Sequence, residues 1–145
     1  VLCDIDGTVA LHTTDPDRWE SVNLRSHYGY EPNAVLDDTP NGPVIAVVRG
    51  LMLTYTVIFV SGREETCRQQ TIRWLINHSM WTPPWALLMR KAGDYRPDYE
   101  IKLELFNEHI RGKYNVLLAI DDRNQVVRLW RDLSLTCIQV ADGDF

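Results

Sequence analysis

The chain has 145 residues, 15 Lys plus Arg against 20 Asp plus Glu, a formal net charge of −5, and 45% hydrophobic and 24% charged residues. These are the proportions of one ordinary globular domain, and the acid surplus argues against a protein that coats nucleic acid by bulk electrostatics, though not against a basic groove on an acidic body. No run approaches the roughly 18 apolar residues of a membrane span, and Val1-Leu2-Cys3-Asp4 lacks the basic start and apolar middle of a signal peptide, so a cytoplasmic location and no membrane partner are expected.

In chain order, the run Val1 to Ile5 predicts a buried strand. The segment His12 to Pro43 is polar, rich in Asp, Asn and Pro, and far longer than the ~2–6 residues of an ordinary loop in such folds. Trp19, Tyr28 and Tyr30 favour a small ordered cap or lid there over a disordered excursion. Val44, Val47, Val48 and Leu51 then fall on one helical face, and Tyr55 to Val60 reads as the second strand. Ser61-Gly62-Arg63 is expected to end that strand and open a helix, with Glu64 and Glu65 in its first turn and Ile72, Leu75 and Ile76 on one face near Trp74. Trp81-Thr82-Pro83-Pro84-Trp85 reads as a rigid entry, its indoles packed locally, into a strand over Ala86 to Met89.

A helix over Asp98 to Ile110 carries Ile101, Leu105 and Phe106 inward, and Val116 to Ile120 forms the next strand. A helix with Val126, Val127 and Trp130 on one face and a strand over Leu135 to Val140 close the chain. Alternating strands and helices predict an α/β fold, a doubly wound, mainly parallel five-stranded sheet with helices on both faces. Cys3, Cys67 and Cys137 have no CxxC spacing and are expected as reduced core thiols. His12, His27, His78 and His109 show no metal-ligand spacing and are expected at the surface or at helix ends.

The chemistry is expected at Asp4-Ile5-Asp6-Gly7-Thr8, where the first strand ends. Side chains two apart on an extended segment point the same way, so Asp4 and Asp6 can converge, and their repulsion calls for a cation or a shared proton. Gly7 permits the sharp exit from the strand. Asp121-Asp122 follow another strand at the same structural level, and ligands of open parallel sheets bind beyond the strands' carboxyl ends. Oxygen ligands without His or Cys suit Mg²⁺ rather than zinc. Ser61, Gly62 and Arg63, taken with a helix N-terminus, form an anion site whose guanidinium fork suits phosphate. A cation completes the set, with Lys102 and Lys91 as rivals that composition does not separate.

This ordered set resembles the haloacid dehalogenase superfamily of phosphotransferases: Asp-x-Asp-Gly-Thr at 4 to 8, Ser61 after a strand, a downstream Lys, then Asp121-Asp122 after another strand. More closely, Val60 to Glu64, Arg90 to Asp98 leading to Lys102, Ala119 to Val127 and the ending Gln139 to Phe145 resemble the 3'-phosphatase domain of phage-type polynucleotide kinase-phosphatases. The resemblance implies a Mg²⁺-dependent phosphatase that removes 3'-phosphates from DNA or RNA ends in nucleic-acid repair. It implies Asp4 as nucleophile through an aspartyl-phosphate, Asp6 as acid then base, and Lys102 rather than Lys91 as the charge-stabilising cation. It further implies Mg²⁺ held by Asp4, the Asp6 backbone carbonyl, Asp122 and Asp121, with phosphate or substrate contacts from Ser61, Gly62, Arg63, Arg18, Arg96 and Arg123.

Arg18-Trp19-Glu20 matches the family's Arg-aromatic-acid string only loosely, within a longer cap. Trp19 suits stacking on a terminal base or anchoring that cap, and Arg90, Lys91, Arg96 and Arg123 could line a backbone path. The expected organisation is one phosphatase domain, 1–145, with a core of 1–11 and 44–145 and a cap over about 12–43. The resemblance implies a 5'-kinase partner activity; these residues hold no GxxxxGK[ST] loop and open on Val1 inside an apolar run, so that activity is expected in an upstream domain of a longer polypeptide, with host-cell cytoplasm as the setting if phage-encoded. Self-association is left open. Two rival readings stand beside it: a phosphatase of small metabolites on the same fold, and a non-catalytic phosphate-end-binding or phospho-receiver module. Paired Asp4 and Asp6 favour an enzyme, because a receiver needs no leaving-group acid.

Overall fold

The structure, a computed structural model, describes residues 1–11, 32–80 and 83–143. Arg18, Trp19, Tyr28, Tyr30, His12, His27 and Trp81 lie outside the described residues, as do residues 12–31 of the expected cap.

Five strands form one parallel sheet: β1 (Leu2–Cys3), β4 (Ile58–Glu64), β5 (Leu87–Arg90), β6 (Ala119–Arg123) and β7 (Cys137–Gly143), in the order β5-β4-β1-β6-β7. Two short strands, β2 (Ala10–Leu11) and β3 (Thr39–Pro40), pair antiparallel beside it. The helices are α1 (Gly42–Met52), α2 (Arg68–Asn77), α3 (Asp98–His109) and α4 (Asn124–Asp132). Pro43 sits in the first turn of α1, where its missing N–H removes no helical bond.

Strand alternation sorts the core into two layers. Val1, Cys3, Phe59, Leu87 and Ile120 face α1 and α2, meeting Ile45, Val48, Trp74 and Leu75. Leu2, Ile58, Val60, Leu88 and Ala119 face α3 and α4, meeting Ile101, Leu105, Phe106, Val126 and Trp130. The doubly wound architecture expected from the alternating pattern is therefore present. The chain leaves β1 toward β4 and β5, then returns to build β6 and β7 on the other side. That reversal makes a crevice beyond the carboxyl ends of β1 and β6.

The strands lie closer to the carboxyl end than hydrophobicity predicts. The run Tyr55 to Val60 becomes Ile58–Glu64, Val116 to Ile120 becomes Ala119–Arg123, and Leu135 to Val140 becomes Cys137–Gly143. Pairing continues through polar residues because their backbones still have partners: Ser61 is in register with Met89, Glu64 with Arg90, and Asp121 with Gln139. Register shifts between Ser61 and Glu64 and between Asp121 and Arg123 bend both strands beside the crevice.

This placement corrects a second expectation. Ser61-Gly62-Arg63 does not open a helix: a 3₁₀ turn, Glu65–Cys67, intervenes, and α2 starts at Arg68. The N-terminus of α2 therefore does not supply the helix end expected beside Ser61. The indole of Trp85 stacks on Tyr114, with ring centroids 6.3 Å apart. Cys3 and Cys67 are buried, whereas Cys137, on the edge strand β7, is only half-buried; all three are free thiols. His78 follows the end of α2 against Trp74, and His109 ends α3, as expected of helix-end residues.

Candidate active site

β1 stops at Cys3, and the next residues turn instead of extending. The Ile5 carbonyl accepts the amides of Thr8, Val9 and Ala10 at 3.2, 3.0 and 2.9 Å, folding the Asp6 to Ala10 segment back over the strand end. Gly7 has φ of +80°, and a Cβ there would run into the Asp122 carboxylate, so glycine is required on both counts. Asn41 Nδ2 donates to the Thr8 carbonyl at 2.9 Å, tying the start of α1 to this turn.

Asp4 and Asp6 both line one cavity of about 240 Å³, but the turn gives them different partners. Asp4 shares the strand face of Leu2, which looks toward α3. There Lys102 Nζ, only 1% exposed, lies 2.8 Å from Asp4 Oδ1, 3.0 Å from Asp121 Oδ2 and 3.4 Å from Asp98 Oδ2. Asp6 instead meets Arg63, whose Nε and Nη2 donate to it at 2.9 and 2.6 Å. The same Nη2 reaches Asp38 Oδ2 at 2.6 Å, and Nη1 reaches Thr71 Oγ1 at 3.4 Å. Arg63 has no exposed side-chain surface, so it holds Asp6 in place rather than presenting a free fork to solvent.

Asp4, Asp121 and Asp122 are buried and offer carboxylate oxygens within 4.8 Å of one another. Burial, with Asp121 and Asp122 adding negative charge, pushes the Asp4 carboxyl well above the ordinary carboxylate range, although Lys102 pulls it down. Burial and Asp121 push Asp122 up in the same way. Burial alone would lower Lys102, but Asp121, Asp4 and Asp98 outweigh it and hold the ammonium charged. Asp98 is shared with Arg90, but one lysine against Asp4, Asp121 and Asp122 leaves negative charge uncompensated. An all-oxygen donor set with that surplus fits a hard divalent cation.

Within the trio the oxygens differ. Asp121 Oδ1 accepts from the amides of Asp122 and Arg123 at 3.1 and 3.3 Å, and Oδ2 accepts from Trp130 Nε1 at 3.2 Å as well as from Lys102. Thr8 Oγ1 lies 3.4 Å from Asp4 Oδ2 and 3.2 Å from Asp122 Oδ1, linking the two strand ends. Asp4 and Asp122 line the cavity; Asp121 packs behind them against α3 and α4.

Of the two candidate lysines, Lys102 is the one brought to the acids, while Lys91 is 73% exposed and pairs with Glu104. Gly62 lines the cavity, where a Cβ would strike the Asp98 carboxylate. Ser61 is buried, its Oγ accepting from the Arg63 amide at 3.1 Å. Arg96 and Arg123 line the cavity, Arg96 tied to Asp94 and Glu104 at 2.6 Å each and Arg123 lying 3.9 Å from Asp98. The hydrogen bond from Arg96 pulls the Asp94 carboxyl down to about 2. Arg90 also lines the cavity and is braced internally, donating to the carbonyls of Gly62, Asp94 and Arg96 and to Asp98.

Two site residues escaped the sequence reading. Asp98 contacts Lys102 and Arg90; its spacing of four from Lys102 on a helix was the available signal. Asp38, the second acid on Arg63, belongs to no motif and is placed by tertiary structure alone.

The chain is similar to known proteins over nearly its whole length. Residues 1–145 match the family described as the polynucleotide kinase PNKP phosphatase domain. A protein of Autographa californica nuclear polyhedrosis virus, named as a putative bifunctional polynucleotide kinase/RNA ligase, is 40% identical over 140 residues, 95% of this chain and 18% of that protein. Two solved structures of Pnkp1/Rnl/Hen1 complexes, one described as an RNA repair complex, superpose with TM-scores of 0.83 and 0.82 at 41% identity. They cover 99% of this chain, which spans 42% and 46% of theirs. Matched over its whole length, with its acids and buried lysine gathered at the strand ends, the chain belongs to the PNKP phosphatase domain family.

Proposed function

We propose that this chain is a Mg²⁺-dependent polynucleotide 3'-phosphatase acting through an aspartyl-phosphate on Asp4. One observation carries the reading: Asp4 lines the cavity while Lys102 and Thr8 hold its two oxygens from behind. The names of its relatives point to polynucleotide ends as the substrate class, with RNA repair the better supported setting.

In this mechanism an Asp4 oxygen forms a bond to phosphorus as the bond to the sugar 3'-oxygen breaks, and Asp6 gives that oxygen its proton. Asp6 then takes a proton from water, whose oxygen attacks phosphorus, releasing inorganic phosphate and restoring the Asp4 carboxylate. Both Asp6 oxygens accept from Arg63, so the proton is delivered from a lone pair that the guanidinium does not hold. Lys102 stabilises charge developing around Asp4, Ser61 and Gly62 bind the phosphoryl oxygens, and Arg18, Arg96 and Arg123 contribute substrate contacts.

Asp4 and Asp122 would hold Mg²⁺ through carboxylate oxygens and Asp6 through its backbone carbonyl, with Asp121 contributing from behind while it positions Lys102. When bound, the ion supplies the positive charge that lets one anion approach another. A kinase domain elsewhere in a longer cytoplasmic polypeptide belongs to the same reading, given the share of its relatives that the chain spans.

The test is phosphate release from 3'-phosphorylated RNA and DNA oligonucleotides with Mg²⁺ or EDTA, beside sugar phosphates. Release from oligonucleotides only with Mg²⁺ is expected. A higher kcat/KM on sugar phosphates overturns the polynucleotide assignment, and turnover in EDTA overturns the metal.

A further inference from the structure

The cavity at the strand ends encloses about 240 Å³, less than the roughly 300–1,000 Å³ of sites that bury a whole drug-sized ligand. It suits a phosphoryl group and part of a sugar, leaving the base of a terminal nucleotide at the mouth. Charge offers that nucleotide little more. Six acids and three arginines line the cavity, and two of the three arginines are committed: Arg90 and Arg96 brace the protein itself.

Tyr95 stands at this mouth. It lines the cavity and is 72% exposed, more than the other exposed aromatics among the described residues. Three of those others have partners of their own: Trp85 and Tyr114 stack on each other, and the Tyr99 hydroxyl donates to Glu100. Among the described residues Tyr95 has no ring or hydrogen-bond partner. Exposed apolar side chains scattered singly need no explanation, but this one is carried on a segment built to stay still. Arg90 Nη1 clamps the carbonyls of Asp94 and Arg96, the residues on either side, at 2.9 and 2.6 Å. Arg96 Nη2 then fastens the segment to α3 through Glu104 at 2.6 Å. A ring presented on fixed backbone gives contact area at little further ordering cost.

The geometry points to Tyr95 as a nucleobase platform: its ring stacks on the base of the 3'-terminal nucleotide while the phosphate lies against Asp4. This rests on the polynucleotide reading of the same site and deepens it, because stacking selects substrates with a base and tolerates every base. It supplies attachment that a cavity rich in acids cannot draw from phosphate contacts alone.

The experiment measures Kd by fluorescence anisotropy in the Asp4→Asn protein, with Mg²⁺, for a 3'-phosphorylated oligonucleotide and for the same strand ending in a 3'-phosphorylated abasic sugar. Removing the base should weaken binding about tenfold when Tyr95 is present, about 1.4 kcal/mol, and less than about twofold in Tyr95→Ala. Tyr95→Phe should keep the tenfold preference. An equal preference in Tyr95→Ala, or none with Tyr95 present, overturns the platform. Because the readout is binding, a protein that fails to release 3'-phosphate would sink the enzymatic reading while the base preference still decides Tyr95.

Discussion

Lys102 and Arg63 are both buried, and each holds one acid of the Asp4-to-Asp6 turn, but their surroundings differ. Lys102 lies on the α3 side among Asp4, Asp98 and Asp121, with Asp122 close by, a point charge facing more negative charge than it can neutralise. Arg63 reaches toward α2, its planar fork matched to Asp6 and Asp38. A matched pair of this kind orients, whereas an unmatched cluster attracts further positive charge. Under the proposed function, the α3 side belongs to the reaction and the α2 side keeps Asp6 in place.

The largest effect that would break this division is expected from Asp4→Asn. Loss of the nucleophile should lower kcat on a 3'-phosphorylated oligonucleotide on the order of 10⁴–10⁶-fold with the melting temperature retained. A rate near that of the unaltered protein would remove Asp4 from the chemistry. Next, Lys102→Ala should cost on the order of 10²–10³ in kcat, as expected for a group stabilising developing charge. Lys91→Ala, an exposed change, should leave kcat within about twofold and stability within about 0.5 kcal/mol. Reversal of these two results would move the cation to Lys91.

Arg63→Lys sharpens the other half, since an ammonium cannot grip two carboxylates as a fork does. If Arg63 positions Asp6, kcat should fall about 10- to 100-fold with little change in KM, the scale of a misplaced catalytic group. A rise in KM at constant kcat would make Arg63 a phosphate contact instead.

The smallest effect concerns pH and metal. Burial and neighbouring charge raise the pKa of Asp4 and Asp122, so the folded protein holds these protons longer than the unfolded chain does. Ionising them as pH rises therefore removes stability, and a cation that binds the ionised form restores it. The gain in melting temperature on adding Mg²⁺ should be a few degrees and larger at ~pH 8 than at ~pH 5. Equal gains at both, or none, would separate the acids from the metal.

Hydrophobic periodicity located every strand of the five-stranded sheet and much of the helices' inward faces, because burial of apolar side chains leaves its period in the chain, but it put the exposed Val47 and Ile76 inward and missed the buried Ile45. It missed how far β4 and β6 run, because their last residues pair through backbone while their side chains are polar, some facing the crevice and others buried on polar partners, and need not be apolar. The same gap made Ser61 to Arg63 look like the start of a helix. Asp4, Asp6, Asp121 and Asp122 were legible because each pair follows an apolar run at one structural level.

The order of residues alone determined an α/β sheet and two acid pairs at its carboxyl rim, since both follow from local pattern and the rules of parallel topology. Which lysine joins them, which acid Arg63 grips and where Asp38 and Asp98 enter were decided by tertiary structure. Those choices depend on side chains from separate elements meeting across distances in sequence such as the 57 residues between Asp6 and Arg63. No local pattern encodes such a meeting; it follows from how the helices and the turn after β1 pack against the sheet.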